Sequence, residues 1–116
     1  MAFRSFEDLE VWKRACALAV RVCKLLSGCR DYAFKDQMTR SALSIASNIA
    51  EGSERDSKAE FIRFLNIAKG SAAELRTQLY IAAEAKVIHA EESKELIREV
   101  KELSSMMHGL VKSIRK

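Results

Sequence analysis

Apolar residues recur at steps of three and four along four stretches of this chain, and its 116 residues include no proline. That spacing is the 3.6-residue period of a helix with a buried face, and the strict alternation of a half-buried strand is found nowhere. The last stretch is the most regular: Leu96, Val100, Leu103, Met107, Leu110 and Ile114 step by 4, 3, 4, 3, 4. It predicts a helix from about Glu91 to Ile114. The third stretch has the clearest start, because Ser57-Lys58-Ala59-Glu60 has capping-box spacing and Asp56 precedes it. A helix is expected from there to about Ala85, with Phe61, Leu65, Ala68, Ala72, Leu75, Leu79 and Ala82 inward. The first stretch carries two apolar stripes, one of Leu9, Trp12, Cys16, Ala19, Cys23 and Leu26, the other of Val11, Ala15, Leu18, Val22 and Leu25. Two stripes imply contacts on two sides. Ser5, with Asp8 three residues on, is the expected cap of this helix, Gly28 its end and Trp12 a core anchor. Four amphipathic helices joined by short loops predict an all-α fold, an antiparallel up-and-down four-helix bundle, as a single domain over residues 1–116.

The second stretch, Gln37 to Arg55, departs from a simple amphipathic pattern. Met38, Ala42, Ile45 and Ile49 share one stripe of a helix expected over Ala33 to Glu51, and Gly52 reads as its left-handed stop. Gln37, Arg40, Ser44, Asn48 and Glu51 share another. Helix 3 has a comparable polar line in Arg63, Ser71, Glu74 and Gln78. Such a line can be an interface network that sets the register of helices or subunits, or it can be a ligand site. Arg40 and Arg55 are natural mates for Glu51 and Glu74, since a guanidinium matches a carboxylate bidentately. The network expected to be structural or interfacial is therefore Gln37, Arg40, Ser44, Asn48, Glu51, Gly52, Arg55, Ser71, Glu74 and Gln78.

The run Ser44-Ile45-Ala46-Ser47-Asn48-Ile49-Ala50-Glu51-Gly52, with Arg55 beyond it, resembles the signature of the bacterial four helix bundle protein family. That family includes proteins encoded in intervening sequences of large-subunit ribosomal RNA genes, and accessory proteins of diversity-generating retroelements are relatives. Phe6-x-x-Leu9-x-Val11-Trp12-x-x-Ala15, Gln37-x-x-Arg40-Ser41-Ala42 and the run from Phe64 to Leu79 match in the same order, over roughly the first 80 residues. The family often has proline where Ala46 stands and before its second helix, so a kink there is in doubt. The resemblance implies a homopentamer. It also implies structured RNA or RNA–DNA hybrids as ligands, with a reverse transcriptase as a protein partner.

Composition narrows the classes further. No apolar run approaches the ~20 residues that span a bilayer, and the acidic start MAFRSFEDLE lacks the apolar core of a signal peptide. A cytoplasmic protein with no membrane association is the expectation. Cys16 and Cys23 lie seven apart, too far for a disulfide within one helix, and read as small buried hydrophobes. Cys29 follows Gly28 in a loop. With two His and no CxxC pair, a zinc site is not expected. Neither His89 nor His108 has a Glu three residues before it, as di-iron bundles require. No nucleophile pairing or phosphate loop is present, so neither catalysis nor a cofactor is expected.

Two non-enzymatic functions remain. Lys94, Arg98, Lys101, Ser105, His108, Lys112 and Arg115 lie on one line of helix 4, with Glu95, Glu99 and Glu102 on the flank. Lys13, Arg14, Arg21 and Lys24 share a face of helix 1. These nine cations are the expected phosphate contacts, and five copies of a +4 chain would carry +20. The alternative is a protein–protein adaptor whose charge only keeps it in solution, with Glu91–Lys94 and Glu95–Arg98 pairs on a solvated face.

Overall fold

Four helices succeed one another in a computed structural model of the protein, which describes residues 5–116. They are α1 (Glu10–Leu25), α2 (Tyr32–Ser53), α3 (Lys58–Glu84) and α4 (Ala90–Arg115), preceded by a 3-10 turn at Phe6–Asp8. Each borders its neighbours in sequence, and α4 closes back against α1, so the helices form a square with α1–α3 and α2–α4 on the diagonals. This is the expected up-and-down bundle. Its long dimension is 44 Å against 19 Å in the other two. The 27 residues of α3 account for most of that length, at about 1.5 Å each.

The helix starts follow side-chain chemistry. Asp31 accepts from the Phe34 N–H at α2, and Ser57 accepts from the Glu60 N–H at α3, each satisfying a donor with no partner inside the helix. The Glu60 carboxylate does not reach back to complete the box. It takes Arg63 at 3.0 Å, and that bond holds it below the usual carboxylate range. α4 starts without a side-chain cap, but Glu91 and Glu92 in its first turn oppose the helix dipole.

The helix ends differ from expectation. Ser5 accepts from the Glu7 N–H and caps the 3-10 turn, not α1, which begins only after an extended Leu9. The turn lets Phe6 fold edge-on against Trp12, with ring centroids 5.1 Å apart. Gly52 is no left-handed stop: it lies inside α2, and among the described residues no glycine has a positive φ. The residue that does is Lys86, at φ 63°, between α3 and α4. There Val87 N–H bonds Ala82 O and Lys86 N–H bonds Ala83 O, a Schellman closure usually built on glycine.

The core is aliphatic. Leu18, Val22, Met38, Ile45, Ile49, Leu65, Leu75, Leu79, Leu103 and Met107 are fully buried, as are Ala42, Ala68, Ala72 and Ala82, whose small side chains let the helices approach closely. In α1 only the stripe through Val11, Ala15, Leu18 and Val22 faces this core, joined by Ala19 and Leu26. Trp12 is half-buried and packs against this core from its edge, whereas Cys16 is half-buried and Cys23 exposed, so neither cysteine is the buried residue the spacing suggested. In α4 the buried line passes from Met107 to Val111, leaving Leu110 and Ile114 half-exposed, because 3.6 residues per turn drifts off a strict seven-residue repeat. α2 runs unbroken through Ala46.

Candidate functional site

The polar stripe of α2 lies against that of α3, and antiparallel register pairs them residue by residue. Ser44 and Ser71 Oγ atoms are 2.8 Å apart. Asn48 donates through Nδ2 to the Ser44 carbonyl at 2.8 Å and to Ser44 Oγ at 2.9 Å. One turn on, Gly52 is buried, and a Cβ there would come within 2.7 Å of Phe64 Cβ and 3.2 Å of the Phe61 ring. Glycine is present because α3 crosses α2 there at backbone distance. Phe64 is covered in turn by two guanidinium groups, Arg63 at 4.6 Å and Arg55 at 4.9 Å from its ring centre. Arg55 also holds Glu51 at 2.9 Å. This end of the seam is closed.

The other end is not. Beyond the Ser44–Ser71 contact lies a cleft of about 560 Å³ lined by Ala33, Asp36, Gln37, Arg40, Ser41 and Ser44 of α2 and Glu74 of α3. Of the expected mates Arg40, Arg55, Glu51 and Glu74, only Arg55 and Glu51 pair; Arg40 and Glu74 are exposed, and neither has an ion-pair partner among the described residues. Gln78 has a wholly buried Oε1 with no hydrogen-bond partner. Gln37 stands exposed across the seam. Of the ten network residues, the structure thus joins Ser44, Asn48 and Ser71 to one another and Glu51 to Arg55, packs Gly52, and leaves Gln37, Arg40, Glu74 and Gln78 without a bond.

The nine expected phosphate contacts also divide. Arg14 crosses to α4, bonding Glu99 at 2.7 Å through Nη2 and Glu102 through Nη1. These bonds, the one to Glu99 first, raise its already high pKa. Arg21 comes within 3.9 Å of Glu95, and Lys94 within 3.8 Å of Glu91. Lys13, Lys24, Arg98, Lys101, Lys112 and Arg115 are exposed and without an ion-pair partner among the described residues. The acidic flank of α4 therefore faces α1, where two arginines meet it. Its basic flank is exposed and borders α3 at His108.

Lys69 Nζ of α3 lies 3.4 Å from His108 Nδ1 of α4. Two turns further along α3 is Arg76, which the same antiparallel register sets near Lys101, and Tyr80 follows it with about half its surface exposed. Lys69, Arg76 and Tyr80 escaped the sequence argument because each sits singly beside an apolar stripe. The signal was their spacing: Ile62, Lys69, Arg76 and Ala83 recur every seven residues.

On the opposite side α1 and α2 leave an apolar groove of about 510 Å³ lined by Trp12, Cys16, Ala19, Val20, Cys23, Lys24, Leu43, Ala46, Ser47 and Ala50. Val20 and Leu43 are half exposed in it. It contains the α1 stripe of Trp12, Cys16, Ala19 and Cys23, and burial raises the Cys16 thiol pKa, keeping it protonated at neutral pH. Among the described residues no three His, Cys, Asp or Glu side chains gather as metal ligands, and no helix is long and apolar enough to cross a membrane.

Comparison with curated proteins finds no match. Among solved structures, the chain is similar to a protein of unknown function from the S23 ribosomal protein family of Bacteroides thetaiotaomicron. The two are 26% identical with a TM-score of 0.83 over 88% of this chain and 98% of the other. The model of the 23S rRNA-intervening sequence protein family matches residues 7–109, through all four helices and the α2–α3 seam, and the chain belongs to that family.

Proposed function

We propose that this protein is a non-enzymatic, homo-oligomeric bundle that binds structured RNA, or an RNA–DNA hybrid, along the basic face of α4. The observation that carries this reading is the partition of charge on that helix. Glu95, Glu99 and Glu102 turn to α1 and are met by Arg14 and Arg21, while on the other flank His108 meets Lys69 of α3. A solvated surface helix gains by mixing signs, since like charges side by side repel. A surface that concentrates one sign suits a polyanion. From Lys94 to Arg115 the ridge is roughly 30 Å long at 1.5 Å per residue, enough to follow a phosphate backbone over many nucleotides. Tyr80 adds one aromatic face on which an unpaired base could stack. Assembly, as a pentamer, would use the α1–α2 groove, whose apolar surface exceeds what one bundle core requires. A ring would then present several ridges at once.

The test is binding of a labelled stem–loop RNA across a series of salt concentrations, with Lys94, Arg98 and Lys101 replaced together by Ala. Tight binding is expected, with a log–log salt slope that falls by about 2–3 in the variant. Equal slopes would overturn the reading. Native mass spectrometry of Leu43→Arg tests the assembly surface, with monomer as the expected product.

The apolar groove also favours a second reading. The protein would be an adaptor that docks on another protein, such as a reverse transcriptase, with no direct contact to nucleic acid. RNA binding that is weak and insensitive to the α4 variant, with Leu43→Arg abolishing capture of a reverse transcriptase, would select it.

A further inference from the structure

We propose that the open end of the α2–α3 seam binds a small amphoteric molecule carrying a carboxylate and a cationic, multi-donor head, the chemistry of a basic α-amino acid. Two observations in the cleft and one beside it support this. The first is Ser41. It is only 5% exposed, and its hydroxyl has no hydrogen-bond partner among the described residues. A helical serine or threonine without an outside partner can turn back to a carbonyl of the preceding turn. Ser53 and Thr77 do so in this chain, to Ala50 O and Ala73 O. Ser41 instead lines the cleft with its hydroxyl unspent.

The second lies one turn beyond Glu74 on α3, beside the cleft and outside its lining: the buried, unpartnered Oε1 of Gln78. A carbonyl shut away from water asks for a donor, and the chain supplies none. The third is the pairing that fails. Arg40 on α2 and Glu74 on α3 both line the cleft, with opposite charges, yet they do not close on each other. A ligand bearing both signs would complement both.

Charge balance selects among such ligands. The cleft has one guanidinium, Arg40, against two carboxylates, Asp36 and Glu74. A net positive ligand with one carboxylate neutralises it. Its carboxylate would take Arg40 and the Ser41 and Ser44 hydroxyls, and its cationic head Glu74 and Asp36. The volume of about 560 Å³ lies in the usual range for small-molecule sites.

The experiment is titration with L-arginine, followed by amide chemical shifts of the full chain. Agmatine, which lacks the carboxylate, and L-glutamate, which lacks the cationic head, are the contrasts. Saturable shifts confined to residues 36–44 and 71–78 are expected with L-arginine. The contrasts should bind at least tenfold more weakly. Ser41→Ala and Glu74→Gln should each weaken L-arginine tenfold or more while leaving the thermal midpoint within a few degrees. The triple α4 variant described above should bind L-arginine normally, so this inference stands or falls apart from RNA binding. Diffuse, non-saturating shifts, or equal binding of all three probes, would overturn it. So would a change of native mass in Glu74→Gln with no change in ligand shifts, which would make the cleft a contact between copies of the chain.

Discussion

The two ends of the α2–α3 seam are built from the same kinds of residue and have opposite outcomes. At one end Ser44, Asn48 and Ser71 close into a bonded cluster, and Gly52 brings the helices to backbone distance over Phe64. At the other, Gln37, Arg40, Glu74 and Gln78 face one another and bond to nothing. Side-chain length decides between them. Serine reaches only across closely packed backbones, so a Ser–Ser bond and a glycine crossing enforce each other. Arginine and glutamate span a wider gap, but ordering both costs up to about 2 kcal/mol each in side-chain entropy. In water an exposed pair returns only about 0–1 kcal/mol. Across the two helices the short residues bond and the long ones do not, while the long Glu51–Arg55 pair at the closed end forms between residues only four apart in sequence.

The comparison breaks most sharply at glycine. Gly52→Ala places a methyl group 2.7 Å from Phe64 Cβ, and a net loss of about 2 kcal/mol is expected in urea unfolding, overpacking outweighing better helix propensity. At Gly70 nothing lies within 4 Å of the added methyl, so Gly70→Ala should instead gain roughly 0.5–1 kcal/mol. Equal responses of the two would remove backbone contact as the cause of closure. Next in size is Asn48→Ala, which strips Ser44 of its donor and should cost about 1–2 kcal/mol, read as a lower thermal midpoint. Gln78→Leu probes the open end with the opposite sign. Replacing an unpartnered buried carbonyl by an apolar group of similar size should be neutral or stabilise by up to about 1 kcal/mol. A loss above that size would mean that Gln78 has a partner in solution. Smallest is Arg40→Ala, expected within about 0.5 kcal/mol of the parent, since its guanidinium bonds to nothing in the fold.

Much of the architecture could be read before any coordinates. The 4, 3, 4, 3 spacing of α4 announced a helix that forms within a residue of each expected end, and Ser57 marked the start of α3. These are local properties, set by periodicity and by hydrogen bonds a few residues long. The errors have a common origin. Ser5, Gly52 and the two stripes of α1 each satisfied a local rule that a distant contact overrode. Phe6 folding onto Trp12 turned the Ser5 cap into a 3-10 turn, and Phe64 claimed the space beside Gly52. The candidate sites show the same division. The basic line of α4 was legible, but its partition into a flank met by Arg14 and one reinforced by Lys69 depends on which helix packs on which side.

By its own pattern, then, the sequence determined four helices, their order and an aliphatic core, because helical period and capping act over a few residues. Tertiary structure alone decided which α1 stripe is buried, which arginines are already paired and where the polar seam stays open. Those outcomes hang on distances between side chains remote in the chain, such as the residues Arg14 and Glu99 or Ser44 and Ser71, and no local rule encodes them.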